Sequence, residues 1–232
     1  MHRSPLPATA TRQRPGRARR LAFLLGAGAL LAAGAVAAAT VGRLAGSGSV
    51  DSAGGATWAV PLRVTPGVNG LAPEVGLAYR SQAGDGPAGH GVDITGLSRI
   101  TRCPRSQATD GRVRGVQFDD GDRFCLDGRV LVLVAGSYGG DGAEYRAETD
   151  RLERIWSRGR QANGPAAFEV RQPDGLTRFY GTDAGSRVPA PGTAGEVREW
   201  AQSATRDLFG NQVVYRYLED ATLAEAWPAE IR

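Results

Sequence analysis

The chain has 232 residues, with 28 basic residues, 24 acidic residues and two histidines, and every basic residue is an arginine. Residues 1–50 hold seven arginines and no acid, so residues 51–232 carry 21 arginines against 24 acids, a net charge of −3. A mildly acidic body gives no electrostatic basis for binding nucleic acid, and we expect no such partner. The two cysteines and the one histidine of the body do not match any zinc-ligand spacing.

Residues 1–43 are predicted to be an export signal or an N-terminal membrane anchor. The run RQRPGRARR precedes an uncharged stretch, residues 21–41, that is rich in Ala and Gly. As a helix this stretch would span roughly 31 Å, enough to cross a bilayer, and it ends in small residues that signal peptidases accept. Cleavage would give a secreted protein. Retention would give an anchored protein with its body outside and its only membrane contact in this segment.

A Gly/Ser-rich spacer is predicted over residues 44–55, with β structure from residue 56 onward. The segments TWAVPLRV, EVGLAYRS, GLSRITRC and GVQF are short, rich in strand formers and bounded by turn residues. No apolar stripe of helical period interrupts them, although EDATLAEAW near the end could form about two helical turns. The sequence therefore predicts an all-β fold, an antiparallel sheet rich in hairpins.

Three turns are predicted to organise the hairpins. FCLDGRVL has an Asp-Gly pair between strand formers, which is typical of a two-residue type I′ turn with positive φ at both positions. The register that follows from this turn pairs Leu126 with Arg129 and Cys125 with Val130. The predicted turn residues are Asp127, Gly128, Asp174, Gly175, Gly210 and Asn211.

The two cysteines have two interpretations. In an oxidising compartment Cys103 and Cys125 could form a disulfide, which would stabilise the fold by about 3 kcal/mol in the chain-entropy model. The alternative is a pair of separate buried thiols that pack as small apolar residues. The sequence leaves both open, because bonding requires a Cα separation that only a structure provides.

No motif indicates catalysis. His90, in PAGHGVD, has no nucleophile and orienting acid at a recognisable spacing and is expected to be a solvated turn residue. DDGD at 119–122 lacks the ligand frame of a calcium loop and is expected to be a tight turn. RITRCPR at 99–105 is expected to be a solvated strand face, with an anion-binding patch as the lesser alternative. We therefore expect no enzyme activity, no cofactor and no metal.

Five long segments occur in a fixed order between residues 56 and 181. They read WAVPLRVTPGVNGLAPEVGLAYRSQAGDG, GLSRITRCP, DDGDRFCLDGRVLVLV, YGGDGAEYRAETDRLERI and NGPAAFEVRQPDGLTRFYG. In this order they resemble the SpvB/TcaC-type N-terminal domain, the first part of insecticidal toxin-complex B components and of related RHS/YD-repeat proteins. The next segment, REWAQSATRDLFGNQVVYRYLED, resembles the Trp…Asp…Gly-Asn…Tyr-x-Tyr element that leads into YD-repeat shells.

The resemblance implies a structural role. In such proteins this region contributes strands to a hollow shell that encloses a C-terminal toxic polypeptide, so the expected partners are the rest of the shell and its toxin cargo. It implies an SpvB-like domain at residues 56–199 and the beginning of a shell region at residues 200–232. The alternative function is a membrane-anchored surface scaffold or adhesin. Because a sheet that stops within its pattern exposes an edge, residues 56–232 alone are expected to associate.

Overall fold

Strands make up nearly all of the regular structure, as the turn-rich sequence predicts. The computed structural model describes residues 45–149, 152–193, 195–220 and 224–232, so the predicted leader lies outside the described residues. The described helical segments are short: one turn of α-helix, α1 (Gln107–Asp110), and two 3-10 turns (Val68–Gly70 and Ala184–Ser186). No helix of the described residues is long and apolar enough to cross a membrane.

The strands in chain order are β1 (Ser47–Val50), β2 (Ala56–Pro61), β3 (Gly76–Arg80), β4 (Asp85–Gly86), β5 (Gly89–His90), β6 (Val92–Thr95), β7 (Arg99–Cys103), β8 (Arg123–Leu126), β9 (Arg129–Ala135), β10 (Glu144–Ala147), β11 (Arg154–Arg158), β12 (Ala167–Arg171), β13 (Thr177–Tyr180), β14 (Arg187–Pro189), β15 (Val197–Arg206), β16 (Gln212–Asp220) and β17 (Glu225–Ile231).

Eight of these strands close into an antiparallel barrel. From β7 to β13, each strand pairs with the next. β15 closes the ring, because its first half pairs with β7 and its second half pairs with β13. Closure pairs both edges of every one of these strands, which removes the open edges that a free sheet would expose.

Aromatic side chains fill the barrel. The rings of Phe124, Phe168 and Trp200 meet edge to face, with centroids 5.1 Å apart for Phe168 and Trp200 and 5.4 Å apart for the other two pairs. Trp200 is fully buried, and its indole N–H donates to the carbonyl oxygen of Pro165 at 3.0 Å. Such edge-to-face pairs contribute beyond the area that they bury, so the centre of the barrel is both dry and geometrically specific.

A second, four-stranded sheet has the order β1-β2-β3-β6. Its strand β1 lies inside the stretch that the sequence predicts to be a spacer, so that prediction is wrong for residues 47–50. The reason is Trp58 in β2: a Cβ at Gly46 or at Gly48 would lie 2.6 Å from its ring. The glycines of this segment therefore allow the backbone to approach the indole, rather than only making the chain flexible.

Strands β16 and β17 form a hairpin outside the barrel. β16 pairs with the last residues of β15, and β17 pairs with β16 and ends the sheet. Pro228 in β17 has no N–H to donate, which suits an edge strand. The helical turns considered for EDATLAEAW are wrong, because residues 219–220 and 225–227 belong to these strands. The domain boundary predicted at residues 199–200 falls inside β15, and residues 45–232 are one compact unit.

The structure places the hairpin turns as follows. Asp127 and Gly128 both have positive φ, 48° and 80°, and their turn pairs Leu126 with Arg129 and Cys125 with Val130. Gly175 also has positive φ, at 87°, in a turn closed by its N–H bond to Gln172.

The third turn is centred two residues before the predicted Gly210-Asn211. The N–H of Gly210 donates to the carbonyl oxygen of Asp207, so Leu208 and Phe209 occupy the central positions. The cause is Asp207, whose carboxylate accepts the backbone N–H of Phe209 and of Asn211, both at 2.9 Å. An Asp side chain that bonds the backbone ahead of it fixes the start of a turn.

GVQF, which the sequence predicts to be a strand, is a loop. Phe118 has a φ of 57°, which is incompatible with an extended strand. The N–H of Gln117 donates to the carboxylate of Asp122 at 2.9 Å instead of to a neighbouring strand.

Candidate functional site

One end of the barrel is closed by the side chain of Arg102, of which 1% is exposed. Ile100 and Arg102 lie on the same face of β7, because side chains alternate along a strand, and this face points into the barrel. The guanidinium carbon lies 5.8 Å from the Phe124 ring centre and 5.9 Å from that of Trp200. The sequence prediction of a solvated strand face, or of an anion patch, at residues 99–105 is therefore wrong for its central arginine.

The Arg102 guanidinium contacts three separate segments of the chain. Its acceptors are the carbonyl oxygens of Val197 (2.8 Å), Asp119 (3.0 Å) and Asn163 (3.0 Å) and the carboxylate of Asp122 (3.2 Å), with the carboxylate of Glu196 at 3.7 Å. A buried cation is tolerated only when it is paired and hydrogen-bonded in this way. The arrangement joins β7 to the start of β15 and to two loops, so it holds the barrel end together.

The DDGD segment is a turn that serves this network. The N–H of Asp122 donates to the carbonyl oxygen of Asp119, and the side chain of Asp122 is 1% exposed beneath Arg102. The hydrogen bond from Arg114 lowers the pKa of Asp119 to about 2, with help from the N–H of Gly121. Among the described residues, no cluster of His, Cys, Asp and Glu is arranged to hold a metal ion.

Cys103 and Cys125 form a disulfide between β7 and β8, with Cα atoms 5.9 Å apart. Thr101 lies opposite Cys125 in the register, so the bond runs diagonally across the two strands. Of the two interpretations that the sequence leaves open, the structure has the disulfide. Both sulfurs are in this bond, so neither is a free reactive thiol, and only 4% of Cys125 is exposed.

His90 lies on the surface. Its Nδ1 is 2.8 Å from a carboxylate oxygen of Asp85, and the two side chains are 77% and 90% exposed. His90 therefore has the solvated position that the sequence predicts.

A groove of about 570 Å³ lies beside the barrel, lined by β6, β15 and β17 and by the loop of residues 83–87. Three of its charged side chains are engaged within the fold: Arg99 lies 3.6 Å from Glu199, and Arg198 donates to the carbonyl oxygen of Ala224 at 2.7 Å. Tyr217 at its wall donates to the carbonyl oxygen of Gln202, and burial raises the pKa of its hydroxyl. The lining residues of this groove include no cysteine and no histidine.

The strongest candidate for a functional surface is therefore an edge of the sheet rather than a pocket. β17 has one neighbour, β16, among the described residues, so its other side presents backbone N–H and C=O groups. Sequence reasoning missed Arg102, and it expected an exposed sheet edge without placing β17, part of which it considered as helical turns. An unpaired edge is a template for pairing with another strand.

Comparison with known proteins agrees with this architecture. The family model SpvB, described as Salmonella virulence plasmid 65kDa B protein, matches residues 50–227. This chain belongs to the SpvB family. A comparison of its sequence with curated proteins gives no match.

Solved structures share the fold. The crystal structure of TcdB2-TccC3 is similar with a TM-score of 0.63 and 22% identity, over 81% of this chain and 10% of that chain. The Photorhabdus luminescens Tc holotoxin pore is similar with a TM-score of 0.63 and 22% identity, over 80% of this chain and 10% of that chain. The N-terminal domain of effector protein SpvB from Salmonella typhimurium strain LT2 is similar with a TM-score of 0.57 and 22% identity, over 75% of this chain and 62% of that chain. This SpvB-family chain thus spans about a tenth of the two Tc chains.

The Arg102 network predicts a large loss of stability in Arg102→Met. The change removes the buried cation beside the Asp122 carboxylate, which keeps the N–H of Gln117 and has Arg114 at 4.0 Å, so the free energy of unfolding should fall by about 3–5 kcal/mol in urea denaturation. Arg102→Met with Asp122→Asn removes the buried charge and should recover part of the loss. The control Arg216→Met, whose side chain is 57% exposed, should cost about 1 kcal/mol or less. An Arg102→Met loss no larger than that of the control would contradict the assignment.

The low pKa of Asp119 predicts a pH dependence. A carboxyl group whose pKa is lower in the folded state adds stability above its ordinary pKa of 3.8, and that stability is lost as the pH falls towards about 2. The urea midpoint of Asp119→Asn should therefore fall less between pH 4 and pH 2 than that of the wild type. Asp120→Asn, at a carboxylate that is 73% exposed, is the matched control. Identical pH slopes for the two variants would show that the Arg114 pair does not act in this way.

Proposed function

We propose that this chain is a non-enzymatic, N-terminal shell segment of an exported SpvB/toxin-complex-like protein that takes part in enclosing and delivering a toxin. The observation that carries the proposal is the β16–β17 hairpin. It leaves a closed barrel and ends in a strand with an unpaired edge among the described residues.

The barrel itself has no edge to offer. Its eight strands are paired on both sides, so further strands of this sheet can be added only outside the ring, as at β17. Leu218 in β16 is 67% exposed, and Trp227 and Ile231 in β17 are half-buried, which leaves apolar surface on the hairpin. Further strands added to β17 would pair its backbone groups and cover such side chains, which is how a β shell is extended.

The similarity to TcdB2-TccC3 and to the Tc holotoxin pore supports the toxin-complex context, because the shared fold there is a small part of a much longer chain. In this proposal the partners are the remaining shell strands and an enclosed polypeptide, and the protein acts outside the cell that makes it.

The test is made on the native product of the source cells. An antibody raised against residues 45–232 should detect, outside the cells, a polypeptide several times longer than 232 residues. Limited proteolysis should leave a protected fragment that lies C-terminal to the epitope and is digested once urea opens the shell. A membrane-bound product of about 232 residues would overturn the proposal and favour the anchored surface scaffold. A long product with no protected fragment would overturn the enclosure of cargo.

A further inference from the structure

The outer face of the barrel carries three arginines around one tryptophan, Trp156 in β11. The guanidinium carbons of Arg154, Arg171 and Arg158 lie 4.9, 5.0 and 5.8 Å from the ring centre. We call these four residues the arginine face. Cation–π contact with an indole fixes the positions of flexible arginine side chains at a surface.

The acids beneath this face are covered. Glu144 and Glu169 lie opposite Trp156 on the two neighbouring strands and are 17% and 13% exposed, whereas the three arginines are 45–60% exposed. Burial raises the pKa of each Glu, but the bonds from two arginines to each outweigh it and the net pKa is lowered. The carboxylates are therefore ionised supports, and the surface presents guanidinium groups to solvent.

Two features of the arginine face favour an added anion. Arg154 lies directly opposite Arg171 in the register, and like charges at such a position destabilise a sheet. The contacts to Glu144 and Glu169 use Nε and Nη2, which leaves Nη1 of Arg154, Arg158 and Arg171 without a hydrogen bond within the described residues. The body as a whole is acidic, with 21 arginines against 24 acids in residues 51–232, so this concentration of cations is local.

We propose that the arginine face binds an extended acidic segment of another polypeptide. Arg154 and Arg158 are four residues apart on one strand, about 13 Å at the rise of a β-strand. Carboxylates at positions i and i+4 of an extended peptide have the same spacing and lie on one side of it. Guanidinium groups bind carboxylates with two N–H donors, and Nη1 of each arginine supplies donors here.

The same geometry argues against single-stranded nucleic acid. Single-stranded nucleic acid is held by stacking bases on exposed aromatic rings. The Trp156 ring is half-buried and has guanidinium groups at 4.9–5.8 Å, so it supports the arginines rather than offering a free stacking surface. This inference does not depend on the proposed shell function, because it concerns the face of the barrel and not the edge of β17.

The test measures fluorescence anisotropy of labelled peptides with the full 232-residue chain. One peptide has glutamates at positions i and i+4 in a Thr/Val background, and a second of the same composition has them at i and i+3, on opposite sides when extended. The first should bind saturably, about tenfold more tightly than the second, and should weaken as salt rises. Arg154→Gln and Arg171→Gln should each weaken binding about tenfold.

Arg216→Gln removes the same charge from an arginine of similar exposure outside the face, and it should change binding by less than about twofold. Unchanged melting temperatures show that the variants are folded. The inference is overturned if no saturable binding occurs, if the two peptides bind equally, or if Arg216→Gln has the same effect. It is also overturned if a heparin oligosaccharide or a single-stranded oligonucleotide binds and the peptide does not.

Discussion

The burial of Arg102 is the constraint on which the barrel end depends. A cation without solvent must be compensated by several acceptors at once, and here these come from β15, from the loop that precedes β8 and from the loop around Asn163. The same side chain touches the rings of Phe124 and Trp200, so the polar network and the aromatic core are one structure. Neither can be rearranged without the other.

Close backbone approach at Gly164 follows from this constraint. A Cβ at that position would lie 2.7 Å from a guanidinium nitrogen of Arg102 and 3.8 Å from the Trp200 ring. The loop can therefore bring its carbonyl oxygens to the arginine only because this residue has no side chain. The disulfide adds a covalent link between β7, which carries Arg102, and β8, which carries Phe124. The strands around Arg102 are thus held by its hydrogen bonds, by its contacts with the aromatic rings and by the disulfide.

The barrel sets the direction of the β16–β17 hairpin. β15 belongs to the barrel along its whole length and also pairs with β16, so the direction in which the hairpin projects is set by the barrel. The chain belongs to the SpvB family and shares its fold with part of the Tc chains. In the proposed function the barrel is the anchor and β17 is the site of attachment.

The sequence predicts the fold class well, because its signals are local. Alternation in RITRC and FEVR and the Asp127-Gly128 pair predict strands and a register that the structure has. It cannot predict barrel closure, since the pairing of β15 with both β7 and β13 depends on residues far apart in the chain. The same limit explains Arg102: its alternation with Ile100 indicates an inward position, but its acceptors come from three distant segments.

The turn at Asp207–Gly210 shows a second kind of limit. Gly210-Asn211 resembles a hairpin turn, but the carboxylate of Asp207 accepts the backbone N–H groups of Phe209 and Asn211. The turn is therefore centred two residues closer to the N-terminus than predicted. For GVQF, the local strand propensity is outweighed by the hydrogen bond that the N–H of Gln117 donates to the carboxylate of Asp122. In both cases a side-chain acceptor that is not part of the strand pattern decides the backbone path.

The measurement that tests the central claim most directly is amide hydrogen exchange along the full chain, followed by mass spectrometry. A closed barrel with a free outer edge predicts that peptides covering β7, β12 and β15 exchange only on global unfolding, while amides of β17 exchange orders of magnitude faster. Equal protection of β17 and β15 would show that this edge is already paired, and fast exchange of β7 would show that the barrel does not close around Arg102.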